Sequence, residues 1–542
     1  MTLWDWLIVL VLNGGVVAVG FYLARGTKTS EDWFLGRRAL AWWAIGLSMF
    51  ATNIDNADLV SLTGTSYKEG LHVITVHTLG SLLGACFAAF YLVPAMARAG
   101  QFTNAEYLET RFGPATRVLS ALIQIQYRSS MLGLMIWAIY LLLTKFLGMA
   151  SPAAWLSIVG LVAAAALYTS WGGLKSVVMT DALQGVIMFI GMGVIFVAVW
   201  NAAGGWSSMI DTISKQGNSD LAHVGRYFGD DGKTSPVLIL IGWTIIGCGY
   251  WSVNHSQTMR LAGARSFWDM KMAAIIGATI SMPIMVACAS MGLFGRALFP
   301  GFENPDELYP HLADTYLGVG AKGLVVAAIF AAAISTFDSI GSSLSALFTR
   351  DIYARLISGQ RDDRHYLKVS RWATFAILAL GFAYIPFISS KDTMLKAFLT
   401  LIPVFVTPLF TIYLIGIFTK AHARAGLIGL LTGSAYGFVA LVDREIFDVA
   451  WLPTEFTGRW VALTWAMVFT SLGALAATLI FGRQSNQPPA SQTPGWLRSS
   501  SEALGALPEH PFQTPPPRWL QPEPIAVGLI AATAFILFYF FW

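Results

Sequence analysis

Two adjacent hydroxyl residues, Ser335 and Thr336, lie inside a long apolar run and are followed at helical spacing by Asp338 and Ser339. On a helix these side chains place several oxygens on neighbouring faces, a donor set suited to a hard cation. The plainer alternative is that the hydroxyls bond back to the preceding turn or join helices to one another. Charged and amide groups recur at similar apolar depth: Asn53, Asp55, Asn56 and Asp58 in one run, His77 in the next, Gln124, Gln126 and Arg128 in a third, and Asp181 further on. A carboxylate at that depth costs at least ~2.5 kcal/mol, so each needs a partner or a use. Arg128 sits about ten residues inside its run, too deep to snorkel easily, and requires a carboxylate: Asp55, Asp58 or an acid group on a bound molecule. Asp181 lies near the start of its run and could instead be an interfacial helix cap. Tyr250 and Trp251 offer ring faces for stacking, or pack as ordinary aromatics.

The elements that position these groups must be membrane helices. Of 542 residues 56% are hydrophobic and 12% charged, about half the charge of a soluble domain. Apolar stretches of about twenty residues, enough to cross ~30 Å of hydrocarbon, recur about fourteen times. They lack the alternation of barrel strands, and helices alone satisfy their own backbone in lipid. The first stretch opens on Trp4, Asp5 and Trp6 without a positive flank, which marks a retained helix rather than a cleaved signal. Lys and Arg crowd alternate loops: Arg25, Lys28, Arg37 and Arg38; Arg98, Arg111 and Arg117; Arg260, Arg265 and Lys271; Arg350, Arg355, Arg361, Arg364, Lys368 and Arg371. Those loops belong inside, which puts both termini outside. The net charge of +4 reflects this bias and offers nothing to nucleic acid. Cys86, Cys248 and Cys288 fall within apolar runs and read as small buried residues. No HExxH, Walker loop, GxSxG or CxxC pattern occurs, so an enzyme is not expected. Residues 483–524, rich in proline, read as a disordered cytoplasmic linker.

Four separated motifs carry a resemblance. They are Asp32-Trp33-Phe34-Leu35-Gly36-Arg37-Arg38 running on to Trp42 through Ile54; Gln101 through Leu108 with Arg111-Phe112; Gly172 through Gln184; and Ala331 through Phe337 continuing to Thr349-Arg350-Asp351-Ile352-Tyr353. In order and spacing they resemble the sodium:solute symporter family of sodium/sugar, sodium/proline and sodium/sialic-acid carriers. The resemblance implies an all-α integral membrane fold with a five-plus-five inverted repeat and broken first and sixth core helices. Segments follow: 1–39 an extra helix and cytoplasmic loop, 40–203 the first repeat, 204–235 an extracytoplasmic loop, 236–420 the second repeat, 421–482 additional helices, 483–524 the linker, and 525–542 a last helix.

By the same resemblance a sodium ion is held by Ala51, Ile54, Ala332, Ser335 and Thr336, and a possible second ion site joins Asp181, Asp338 and Ser339. Solute binding falls to Asn53, Asp55, Asn56, Asp58, His77, Arg128, Tyr250 and Trp251. Against the sugar carriers Asp58 stands for a glutamine, His77 for a glutamate, and Gly247 for the asparagine at the sixth helix break, so their ligand set is altered. The expectation is a monomeric, sodium-coupled importer of a small polar solute, first a sugar or sugar acid, in the cell membrane. An amino acid or other organic acid, proton coupling through Asp181 and Asp338, a channel, or a non-transporting solute sensor stand as alternatives.

Overall fold

The computed structural model describes residues 1–24, 33, 36–98, 101–229, 232–359, 361–391, 393–446, 451–483 and 507–542. Arg25, Lys28, Asp32, Phe34, Leu35 and the linker residues 484–506 lie outside the described residues. In chain order the helices are α1 Leu3–Ala24, α2 Trp42–Asn53, α3 Asn56–Glu69, α4 Leu71–Arg98, α5 Asn104–Phe112, α6 Pro114–Phe146, α7 Ser151–Ala202, α8 Gly205–Lys215 and α9 Pro236–Val253. They continue as α10 His255–Ala262, α11 Phe267–Leu298, α12 Leu308–Tyr316, α13 Ala321–Ile357, α14 Arg364–Ser389, α15 Met394–Phe418, α16 Arg424–Arg444, α17 Arg459–Phe481 and α18 Pro522–Phe541. Among the described residues the one β contact is an isolated bridge between Leu40 and Ala264.

Twelve of these helices are long and apolar enough to cross a membrane. Two of the expected crossings fall short of that measure. One is the arm Ser151–Leu167 of α7, which turns at Gly173, where φ is 65° and ψ 177°. The other is split in two, as α2 and α3. In the most apolar stretch of α13 89% of the residues are buried, against 11% in α18, so α13 sits at the centre and α18 at the periphery. Both chain ends reach one face of the bundle: Asp5 Oδ1 accepts from Gly320 N at 2.7 Å and Gly323 N at 3.1 Å, and the Trp542 ring lies against Gly225.

Why the first core helix breaks is local chemistry. Ile54 and Asp55 are extended, and Asp55 restarts the chain as a helix cap. Its Oδ1 accepts from Asp58 N at 2.9 Å while Asp58 Oδ2 accepts from Asp55 N at 3.3 Å, a reciprocal capping box that satisfies two orphan donors. The sixth core helix breaks at Asn254, whose side chain accepts from Ser256 N at 3.0 Å. Gly247 lies in α9, short of that break, where it cannot stand for a break asparagine. A Cβ on it would lie 2.4 Å from the carbonyl carbon of Gly80, so this pair lets α9 and α4 touch backbone to backbone.

Several of the arginines that mark loops in the sequence are in fact buried. Arg117 meets Asp351 at 2.5 Å, Glu109 at 2.5 Å and Glu106 at 3.2 Å. Arg350 meets Glu106 at 2.9 Å and lies 3.9 Å from the centre of the Phe102 ring. Burial alone would raise the Glu106 carboxyl, but the guanidiniums of Arg350 and Arg117 hold it below the usual range. The network ties α5 to the start of α6 and the end of α13. Asn104 extends the tie to the second break, donating to Val253 O at 2.9 Å.

Two loop expectations need correction. Part of the proline-rich stretch is ordered: Pro508 O and Glu509 O accept from Phe267 N and Trp268 N at 3.0 and 2.9 Å, and Leu520 O accepts from Trp268 Nε1 at 3.0 Å. The carbonyls of Pro508 and Glu509 satisfy two of the orphan amides that begin α11. Residues 204–235, expected as an extracytoplasmic loop, contain the helix α8, more structure than a composition rich in Gly, Ser and Asp suggests.

On the opposite face Asp306 Oδ2 accepts from Met394 N at 2.8 Å, while Pro305 O lies so close to Gly64 that a Cβ there would come within 2.6 Å. The connection between α11 and α12 thus joins α3 to α15. Burial pushes the Asp306 carboxyl up to about 7, above its value of about 4 in an unfolded chain. A folded-state value raised this way makes a contribution that is complete at low pH and is lost as pH rises toward 7. Thermal unfolding in detergent between about pH 5 and 8 should therefore show stability falling with pH. Asp306→Asn should flatten that slope; an unchanged slope in the variant contradicts the assignment.

Candidate functional site

A helix that ends inside a bundle leaves carbonyls without partners. At the end of α2 they are met from outside the helix. Ser335 Oγ on α13 donates to Ala51 O at 2.9 Å and lies 3.0 Å from Ala332 O, and Tyr250 OH on α9 donates to Thr52 O at 2.8 Å. Thr336 Oγ1 donates to Ala332 O at 3.0 Å. Ile54, fully buried, occupies the break itself. The break and the hydroxyl pair, remote in sequence, are therefore in contact. Carbonyl and hydroxyl oxygens converge at a helix C-terminus whose dipole is equivalent to about half a negative charge, which fits a hard monovalent cation.

Below this point lies a charge pair that sequence reading missed. Arg260 Nη2 donates to Asp181 Oδ2 at 2.6 Å and also to Ser339 Oγ. Its Nε donates to Ser48 Oγ at 2.7 Å and its Nη1 to Ser256 O at 2.6 Å. Asp181 is wholly buried, not an interfacial cap. The expected second ion site of Asp181, Asp338 and Ser339 is thus altered: the guanidinium lies between Asp181 and Ser339, and Asp338 Oδ1 accepts from Thr169 Oγ1 at 2.7 Å. The signal that could have found Arg260 was the need of a buried carboxylate for a cation.

Beside the break is a cavity with a water-accessible volume of about 80 Å³. Asn53, Asp55, Asp58, His77, Arg128 and Tyr250 line it, with Ser61 and Ser81, which the sequence did not single out. Asn56 and Trp251 turn elsewhere. Asn56 Nδ2 donates to Met135 O at 2.9 Å, and Trp251 packs into the core against Gly277. Gln124 is taken by Asn104 at 3.1 Å, and Gln126 is exposed on the far side of α6. Of the two alternatives for Arg128, the internal ion pair with Asp55 or Asp58 is not formed. No nitrogen of Arg128 lies within 4.0 Å of either carboxylate, and its Nε and Nη2 have no partner.

A sequence model of the Sodium:solute symporter family matches residues 33–433. The chain belongs to this family. Sodium/glucose cotransporter 4 of Danio rerio is 28% identical to the symporter over 483 residues, 82% of this chain and 72% of that protein. The Sodium/sialic acid symporter NanT of Aliivibrio fischeri is 26% identical over 440 residues, 78% of this chain and 84% of that one. A solved structure of a Na+-coupled sialic acid symporter in its substrate-bound outward-open state shares the fold, with a TM-score of 0.76 at 22% identity over 89% of this chain and 99% of that one. The all-α inverted-repeat architecture expected from the motifs is therefore the architecture of this symporter.

The Asp181–Arg260 pair is buried on both sides, at 0% and 1% side-chain exposure. Removing one member of such a pair strands the other, at a cost of about 3–5 kcal/mol. Asp181→Ala in the symporter should lower thermal stability by that order, and Asp181→Asn combined with Arg260→Gln should recover part of it. A single variant as stable as the parent contradicts the geometry.

Proposed function

We propose that the chain imports a small polar solute together with sodium by alternating access. The observation that carries this reading is the contact of Ser335 Oγ with Ala51 O at 2.9 Å across the helix break. Sodium takes the place of the hydrogen bond in that contact, the hydroxyl keeping its proton and turning a lone pair to the ion, which is held by the carbonyls of Ala51, Ile54 and Ala332 and the hydroxyls of Ser335 and Thr336. With sodium bound, α2 is fixed against α13, the cavity lining is completed, and one bundle rocks against the other. Each charge moved inward gains about 2.3 kcal/mol per 100 mV. The positive loops support a reading with the face bearing α5 inside and both termini outside, in the cell membrane. Asp338, whose Oδ2 has no partner, is the member of the second trio left free to take another cation or a proton.

For the solute, relatives are named for glucose, myo-inositol and sialic acid. Ser61, Ser81, His77 and the two carboxylates offer hydrogen bonds to hydroxyls, and the guanidinium of Arg128 favours an acid group. A solute that bears an acid group fits this lining better than a neutral sugar, which leaves Arg128 without a counter-charge.

The test is uptake into membrane vesicles under an imposed sodium gradient. Ser335→Ala with Thr336→Ala should reduce sodium-dependent uptake at least about a hundredfold, in line with the loss of two oxygen ligands, while the protein is still inserted. Unchanged uptake overturns the assigned site. Uptake that follows a proton gradient in potassium buffer as well as in sodium overturns sodium coupling.

A further inference from the structure

The cavity beside the break carries more charge than a neutral solute or a simple acid can balance. Asp55 and Asp58 stay partly exposed while Asn56, Ala57, Leu59 and Val60 around them are buried, and both face the cavity. One oxygen of each belongs to the capping box, and no basic nitrogen lies within 4.0 Å of the other. In the same lining, Arg128 is 2% exposed, with Nε and Nη2 unpartnered. Opposite charges that line one buried cavity attract strongly. Here they are held apart, Arg128 being kept in place by the rings of Tyr127 and Tyr250 at 5.8 and 5.5 Å. His77 Nδ1 and Asn53 Nδ2, both buried, also lack partners.

We propose that the solute is a small zwitterion, with a carboxylate on Arg128 and a protonated amine between Asp55 and Asp58. This deepens the symport reading and rests on it. An amine bearing N–H groups fits better than a quaternary ammonium, because the carboxylates offer acceptors while the aromatic faces are already taken by the guanidinium. Charge balance links solute to ion. Two carboxylates and one guanidinium leave one negative charge, a zwitterion leaves it unchanged, and one sodium at the neighbouring break removes it. Ion and solute thereby raise each other's affinity, which is the reciprocity that coupling demands. A neutral sugar leaves the guanidinium unmet, and an acid without an amine leaves the carboxylate pair unmet.

The experiment is thermal stabilisation of the purified protein in sodium and in potassium buffer. The probes are the protein amino acids, D-glucose and myo-inositol, L-lactate and D-glucuronate, and D-glucosamine, followed by proteoliposome uptake of any probe that binds. The expected result is a sodium-dependent shift with one or more amino acids and with none of the others. Asp58→Asn and Asp55→Asn keep a capping oxygen and should fold, yet each should weaken the zwitterion at least about thirtyfold. Asp58→Glu, which keeps the charge, should lose less. A sodium-dependent shift with a sugar or an amine-free acid, or affinity untouched in both Asn variants, overturns the zwitterion and leaves symport standing. Stabilisation by sodium but by no amino acid also overturns it. No difference between sodium and potassium with any probe overturns the symport reading itself and the zwitterion with it.

Discussion

A helix interrupted inside a bilayer must find partners for the carbonyls at its cut end, because no bulk water reaches them and each unmet group costs several kcal/mol. In this chain the cut end of α2 is met by Ser335 and Tyr250, from α13 and α9. That need decides which elements lie against the break and why α13 is the most buried of the long helices. It also makes the break a place where a cation can compete on favourable terms with hydroxyl protons. The ion site and the structural repair of the helix are one feature.

The other buried charges arrange themselves around that point. The capping box of Asp55 and Asp58 restarts the helix and at the same time presents two carboxylates to the cavity. Arg260 and Asp181 lock α2, α7, α10 and α13 together through Ser48 and Ser339. The Glu106 network and Asn104 tie α5 to the second break and to the end of α13. Both interrupted helices are thereby joined to α13, the first at Ser335 and Ser339 and the second at Ser339 and Ser343, so a change at either break is felt at the other through groups that cannot be left unpaired.

The family motifs and the apolar runs made the helical membrane fold and the first interruption legible before any coordinates, while the second was read too early, at Gly247 rather than Asn254; the contact of Ser335 with Ala51 follows the expectation. What could not be read is the direction in which a side chain points near a break. Asn56 and Trp251 have the right chemistry and neighbourhood, yet helical phase turns Asn56, just after one break, to Met135 and Trp251, just before the other, to Gly277. Arg117, Arg260 and Arg350 were legible only as charges at the ends of apolar runs. Burial changes their meaning, because the carboxylates that receive them come from segments far away in sequence. The docking of residues 507–521 was hidden by a composition rich in proline; it depends on orphan amides of α11 that composition does not reveal.

The central claim is that sodium exchanges with the hydroxyl contact at the cut end of α2. Hydrogen exchange of the purified protein, followed in peptides spanning residues 48–60 and 330–342 in sodium and then in potassium, measures this most directly. The account predicts slower exchange in both peptides together when sodium replaces potassium, with little change in α16 and α17. Equal exchange in the two salts, or protection confined to one of the two peptides, would contradict it.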